Sequence, residues 1–266
     1  MLFRFCKEVE VLIIDQSQGT VSDKRIEALS KIKANRVILL SATLEMAAKK
    51  SLSKVFDLNV FECGYEEAVE RGILPEAKVH IIRVKLDKVV KNCAIKSKKL
   101  LLTQEEYYEQ LCRKINYWKE RYEDGEAWAK NKMLQVGGER IAWLGEVKKR
   151  KLIQVLDRVG ERRAIVFCSS KEQAHELGHG TAVSSDNSKV ENKATINSYN
   201  KGEIDKLFCK NMLTEGMNLY DTPFGVVVGL GSKELRGTQI LGRILRHDSP
   251  QLVIIAVEGT VDERFL

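Results

Sequence analysis

Thr238-Gln239-Ile240-Leu241-Gly242-Arg243-Ile244-Leu245-Arg246 is the stretch from which the rest of the chain is read. Residues three apart share one face of a helix, so Arg243 and Arg246 project together. Two guanidiniums converging on one spot suit a phosphate chain, because each offers a planar fork of donors. A basic, solvated surface helix is the plain alternative. What lies upstream separates the two readings.

The chain has 266 residues, room for one large domain or two medium ones. With 44% hydrophobic and 30% charged residues it reads as soluble and globular. No apolar run approaches the roughly 20 residues that span a bilayer, so no membrane partner is expected. The opening Met1-Leu2-Phe3-Arg4-Phe5-Cys6 is too short an apolar stretch for a signal peptide. Six scattered cysteines without a Cys-x-x-Cys pair argue for reduced thiols and a cytoplasmic setting. A net charge of +7 is compatible with a nucleic-acid partner.

Val9 to Ile14 is a β-branched run closed by Asp15, the pattern of a buried parallel strand ending in a carboxylate. Ser22 to Ile32 predicts a helix with Ser22 as its N-cap. Val37 to Leu40 predicts a second buried strand, followed at once by Ser41-Ala42-Thr43, and Val79 to Leu86 a third. Strands alternating with helices predict a parallel α/β sheet, whose ligands bind at the carboxyl ends of the strands. Lys85 to Lys99 reads as a lysine-rich linker. Long helices follow from Thr103 to Lys151, with breaks at Gly125 and at Gly137-Gly138. Trp118, Trp128 and Trp143 all fall here, and residues 113–151 hold 11 Lys/Arg against 6 Asp/Glu. Solvated amphipathic helices are one reading. A nucleic-acid arm gripping phosphates, with Lys148, Lys149 and Arg150 among its cations and aromatics stacking on bases, is the other. Leu152 to Val159 predicts a short helix. Ala164 to Cys168, Val226 to Val228 and Leu252 to Val257 predict further buried strands.

These pieces resemble the motifs of superfamily 2 helicases. Leu12-Ile13-Ile14-Asp15-Gln16-Ser17-Gln18 resembles motif II, and Ser41-Ala42-Thr43 resembles motif III. Ile165-Val166-Phe167-Cys168-Ser169-Ser170 resembles motif IV, Thr214-Glu215-Gly216-Met217-Asn218 motif V, and Gln239 to Arg246 motif VI. The order and spacing are most similar to phage-type DEAH helicases. The resemblance implies an α/β fold of two RecA-like parallel-sheet lobes, the first incomplete, joined by a helical insertion. Its implied bounds are 1–87 for the partial first lobe, 88–151 for the basic insertion and linker, and 152–266 for the second lobe. It implies ATP and Mg²⁺ as cofactors and DNA or RNA as partner.

Family roles carry over as implications. Asp15 holds the Mg²⁺ that bridges the phosphates, with Gln18 beside the nucleotide. Ser41 and Thr43 couple nucleotide state to lobe movement. Ser169, Ser170 and Thr214 touch the nucleic-acid backbone. Gly216 and Asn218 approach nucleotide or strand. Gln239, Arg243 and Arg246 face the γ-phosphate, where positioned charge is what phosphoryl transfer needs.

Two departures matter. No Gly-x-x-x-x-Gly-Lys-Ser/Thr loop occurs; Gly229-Leu230-Gly231-Ser232-Lys233 lacks the Gly-Lys step, and only 14 residues precede Asp15. A missing N-terminal segment or a companion chain is therefore expected as a partner. Gln16 stands where a carboxylate would take a proton from the attacking water, and an amide cannot accept it. The resemblance thus implies helicase lineage with little turnover by this chain alone, or a non-enzymatic nucleic-acid-binding remnant. His175-Glu176-Leu177-Gly178-His179 matches the His-Glu-x-x-His zincin pattern and keeps a zinc hydrolase open, against a surface helix ending at Gly178 or Gly180.

Overall fold

The computed structural model describes residues 8–14, 23–41, 46–95, 100–210, 219–229, 242, 244 and 246–266. The chain divides into two compact units, Met1–Ala68 and Val69–Leu266.

The first unit holds β1 (Glu8–Ile14), α1 (Asp23–Ser30), β2 (Lys33–Leu39) and α2 (Met46–Leu52), and α3 (Tyr65–Glu70) crosses its boundary. β1 and β2 pair in parallel, with Ile13 opposite Ile38 and Ile14 opposite Leu39. Alternation along each strand gives the pair two faces. Leu12, Ile14, Val37 and Leu39 are half-buried, whereas Val11, Ile13, Ile38 and Leu40 are exposed, Ile13 by 61%. The expectation of fully buried strands is corrected here. A parallel sheet is buried only when layers cover both faces, and a two-stranded pair has one covered face and open edges. The buried apolar side chains described in this unit are Leu29, Leu52 and Ala68.

The second unit begins with β3 (Lys78–Val84), then the short antiparallel pair β4 (Cys93–Ile95) and β5 (Leu100–Leu102). Two long helices follow, α4 (Gln104–Glu123) and α5 (Ala129–Val159). The remaining elements are β6 (Ala164–Phe167), α6 (Lys171–Gly178), β7 (Ala182–Val183), α7 (Lys189–Asn200), β8 (Lys206–Cys209), β9 (Phe224–Val227), β10 (Gln251–Val257) and a closing 3-10 turn, Val261–Phe265. Six strands form one parallel sheet in the order β3-β10-β9-β6-β8-β7. Side chains alternate between two buried clusters. Leu152, Val155 and Val159 of α5 and Ala174 of α6 pack with Ala164, Val166, Phe208, Val226 and Ile255. Ile196 and Tyr199 of α7, with Ile244, pack with Ile165, Phe167, Leu207, Val227 and Ala256. The fold is mixed α/β with a large parallel sheet, as expected.

Three local expectations are corrected. The strand near residues 79–86, read as part of 1–87, belongs to the second sheet: β3 pairs with β10 from Lys78 opposite Gln251 to Val84 opposite Val257. A β-branched run is satisfied by any parallel neighbour, so the sequence does not name its partner. Gly137-Gly138 does not break the helix, and Leu152–Val159 is not a separate one; α5 runs unbroken for 31 residues. Each glycine costs about 1 kcal/mol in a helix. Buried Val136 and Leu144 on either side, and the packing of α4 on α5, outweigh that cost. At 1.5 Å per residue, α5 extends about 46 Å.

The helix starts follow the sequence. Thr103 caps α4 in a capping box with Glu106. Ser170 caps α6, and Ser188 caps α7 in a second capping box with Glu191. Among the described residues no helix is long and apolar enough to cross a membrane.

Candidate functional site

All six strands of the large sheet are parallel, so their carboxyl ends share one edge, where such sheets place ligands. β6 delivers Cys168-Ser169-Ser170 to that edge. The amides of Val228 and Gly229 both donate to the Phe167 carbonyl, at 2.9 and 3.0 Å, and bring the end of β9 alongside. A Cβ on Gly229 would lie 2.5 Å from the Cys168 carbonyl oxygen, so only glycine fits there without a shift. Gly229 thus serves close backbone packing.

Ser170 takes the N-cap role, its hydroxyl accepting from the Gln173 amide at 3.0 Å. Gln173 is itself buried and bridges two elements. Its Oε1 accepts from the Ser169 amide at 2.9 Å, and its Nε2 donates to the Gly145 carbonyl of α5 at 2.8 Å. Gly145 lets α5 approach, since a Cβ there would lie 2.4 Å from that of Ser169. The Ser169 hydroxyl is buried and has no hydrogen-bond partner among the described residues. Lys210, directly after β8, donates to the Ser169 carbonyl. Burial pushes the neighbouring Cys168 thiol up to about 12, which leaves it an inert core side chain.

Lys148 occupies the middle of this layer. Its side chain is 1% exposed and its ammonium donates to Asp262 Oδ2 at 2.8 Å and to the Val228 carbonyl. Burial pulls its pKa below the ordinary lysine value, while the Asp262 carboxylate acts in the opposite sense. Asp262 is positioned by the turn after β10. Thr260 Oγ1 donates to the Val257 carbonyl at 2.8 Å and accepts from the Asp262 amide at 3.2 Å, and Asp262 Oδ2 accepts from the Val257 amide at 3.1 Å. The expectation that Lys148 contacts nucleic acid is therefore corrected: its charge is satisfied inside the protein. Lys149 is paired with Glu176 and Glu146. Arg150 is exposed on α5.

Of the other expected site residues, Ser41 is half-buried just beyond β2, and Arg246 is exposed in the turn after the helix containing Ile244. Asp15, Gln16, Gln18, Thr43, Thr214, Gly216, Asn218, Gln239 and Arg243 lie outside the described residues. The structure gathers Ser169, Ser170 and Lys148 into one layer. It adds Gly145, Gln173, Lys210 and Asp262, none of which the sequence motifs single out. The one sequence signal for the ion pair is Lys148 itself, at a position where helical spacing from Leu144 and Leu152 points inward.

The zincin pattern does not hold its geometry. α6 ends at Gly178, and His179 is its left-handed cap with φ 42°, so it does not sit one turn above His175 on a helix face. Glu176 is engaged by Lys149. Among the described residues no group of three His, Cys, Asp or Glu is arranged to hold a metal ion. His80 lies in β3. His247 accepts from the Ser249 amide and stands 3.5 Å from Asp221.

Comparison with known proteins gives three findings. Residues 147–248 match the helicase conserved C-terminal domain family. Saccharomyces cerevisiae Dbp5 L327V bound to RNA and ADP BeF3 superposes with a TM-score of 0.58 at 12% identity, covering 96% of this chain and 55% of that one. The Pyrococcus furiosus Hef helicase domain superposes with a TM-score of 0.52 at 15% identity, covering 99% of this chain and 74% of that one. This chain therefore spans about half the length of the Dbp5 chain it resembles. No curated protein matches it by sequence. Residues 147–248 are thus similar to the helicase conserved C-terminal domain family, and the parallel sheet shares its fold with these two helicase structures.

Proposed function

We propose that this protein is a DEAH-like, phage-type superfamily 2 helicase chain that remodels DNA or RNA, and that it turns over ATP only when a Walker A segment is supplied from elsewhere. The observation that carries the reading is the helicase C-terminal domain match across α5, β6 and the Ser169-Ser170 corner. The fold likeness to a Dbp5 structure bound to RNA and ADP BeF3 supports the same partner and cofactor class.

The donor chemistry fits Mg²⁺-ATP at one position and not at the next. Asp15 offers the hard carboxylate oxygen that Mg²⁺ prefers. Gln16 offers an amide, which cannot take a proton from water. Bound Mg²⁺-ATP would supply the phosphoryl group that water attacks. Arg243 and Arg246 are assigned to its γ-phosphate, Gln239, Gly216 and Asn218 to contacts around it, and Ser41 and Thr43 to coupling. Ser170 and Thr214 are assigned to the nucleic-acid backbone, whereas the Ser169 hydroxyl, buried against Gly145, is not.

No turnover is expected from this chain with nucleic acid present. In a complex that supplies a Walker A loop, Gln16→Glu is expected to raise ATP hydrolysis by ~10²–10⁴-fold. Hydrolysis by the unmodified chain at the rate of the Gln16→Glu protein would refute the role given to Gln16. The amide at that position also favours a second reading, a nucleic-acid-binding protein without catalysis, which an unresponsive Gln16→Glu complex would promote.

Nucleic-acid binding is expected to weaken with salt, by an amount the ion pairs limit. Arg121 is bound to Glu126, Lys119 to Glu123 and Lys148 to Asp262, which removes them from the phosphate count. Lys114, Lys130, Lys132 and Arg150 remain exposed without a carboxylate partner among the described residues. Four such contacts predict a log–log salt slope of about −3 for a single strand. Titrations at stepped potassium chloride test this, and a flat slope excludes the insertion from binding.

A further inference from the structure

The tip of the α4–α5 hairpin carries a cluster that neither the helicase motifs nor the domain match includes. Trp118 packs edge-on against Tyr117 at 4.8 Å and against Trp128 at 5.5 Å. The Arg121 guanidinium lies 5.6 Å from the Tyr117 ring and 5.5 Å from the Trp128 ring. Arg121 is fixed by two hydrogen bonds to Glu126, at 2.9 and 2.7 Å, and by one to the Tyr117 hydroxyl at 2.7 Å. The turn that closes the cluster passes through Gly125 at φ 98°. Rings and guanidinium thus form one pre-ordered unit.

Its outer rings are open. Trp128 is 52% exposed and Tyr117 48% exposed. Aromatic side chains of this size are the ones a fold buries first, and here two are held rigidly in water at the end of a long hairpin. Lys114 lies three residues before Tyr117 on α4, and Lys132 four residues after Trp128 on α5, so each shares its helix face with an open ring. Both lysines are exposed and have no carboxylate partner among the described residues. The charge on Arg121 is already met by Glu126, so that residue holds the rings while the lysines remain for an anion.

We propose that this tip is a stacking site for single-stranded nucleic acid, with Trp128 and Tyr117 presenting ring surface to unpaired bases and Lys114 and Lys132 meeting the flanking phosphates. The inference rests on the nucleic-acid reading above and narrows it to a strand state. An open ring can stack only on a base whose own face is open. A duplex hides those faces inside its stack, whereas a single strand offers them, and such stacking tolerates any sequence. Pre-ordering by Arg121 means that little side-chain freedom is lost on binding. The flanking cations match phosphates and would oppose an uncharged protein groove.

The test uses the full chain with a 20-nucleotide oligothymidylate and a blunt duplex of the same length. Trp128→Ala is expected to weaken single-strand binding about tenfold and to leave duplex binding unchanged. Trp128→Phe keeps a stacking ring and is expected to retain most of the affinity while losing part of the fluorescence quenching that the oligonucleotide causes. Circular dichroism confirms that each variant is folded. Equal single-strand affinity of wild type and Trp128→Ala overturns the inference and leaves the nucleic-acid reading standing. Absence of binding to both probes overturns the two together. A tip that instead retains a protein partner through Trp128, with no oligonucleotide effect, overturns the single-strand assignment.

Discussion

Asp262→Ala is expected to destabilise the second unit by about 3–5 kcal/mol, because it strands the Lys148 ammonium in the interior. Lys148 and Asp262 are 1% and 2% exposed, so water cannot replace the lost carboxylate. Among the described residues only the Val228 carbonyl would remain to the ammonium, and the Val257 amide would lose its Asp262 acceptor as well. Urea unfolding followed by circular dichroism measures the loss as a shift in midpoint. The double variant Lys148→Met with Asp262→Asn is expected to recover most of it. It removes both charges, and the asparagine oxygen still accepts from Val257. A double variant no more stable than Asp262→Ala would show that the pair is not what holds this layer. A midpoint unchanged in Asp262→Ala would show that Lys148 finds solvent.

Gly229→Ala is the second large effect, expected to cost about 1–3 kcal/mol through overpacking. Its new methyl would meet the Cys168 carbonyl oxygen at 2.5 Å and Ser169 Cα at 2.9 Å. Both are backbone atoms at the end of a central strand, so no side chain can rotate away. For a domain of this size, that loss corresponds to a melting temperature lower by roughly 2–12 °C. Gly138→Ala is the control: nothing among the described residues lies within 4 Å of its added methyl, and the helix gains up to about 1 kcal/mol in propensity. Equal melting temperatures for wild type and Gly229→Ala would mean that β6 and β9 can part at no cost, against the hydrogen bonds that join them.

These two sites show how chemistry at the carboxyl edge depends on α5. The helix that leaves the exposed hairpin tip also supplies Gly145 and Lys148 to the sheet edge. Through Gln173 it touches the Ser169 amide, and through Lys148 the carbonyl that precedes Gly229. The insertion and the second sheet both lie in the compact unit Val69–Leu266.

What the sequence determined by itself was local and periodic. The apolar runs at 164–167 and 252–257 and the stop at Gly178 each follow from neighbours a few residues apart. The motif-like segments also pointed to helicases, and residues 147–248 match the helicase conserved C-terminal domain family. What the tertiary structure decided was every partnership between distant residues. β3 chose β10, some 170 residues away, over a neighbour in the first unit. Lys148, read as a phosphate ligand, turned inward to Asp262, a separation of 114 residues. A charge has no preference between solvent phosphate and a buried carboxylate until packing removes the water, and that removal is a property of the assembled sheet, not of any segment of it.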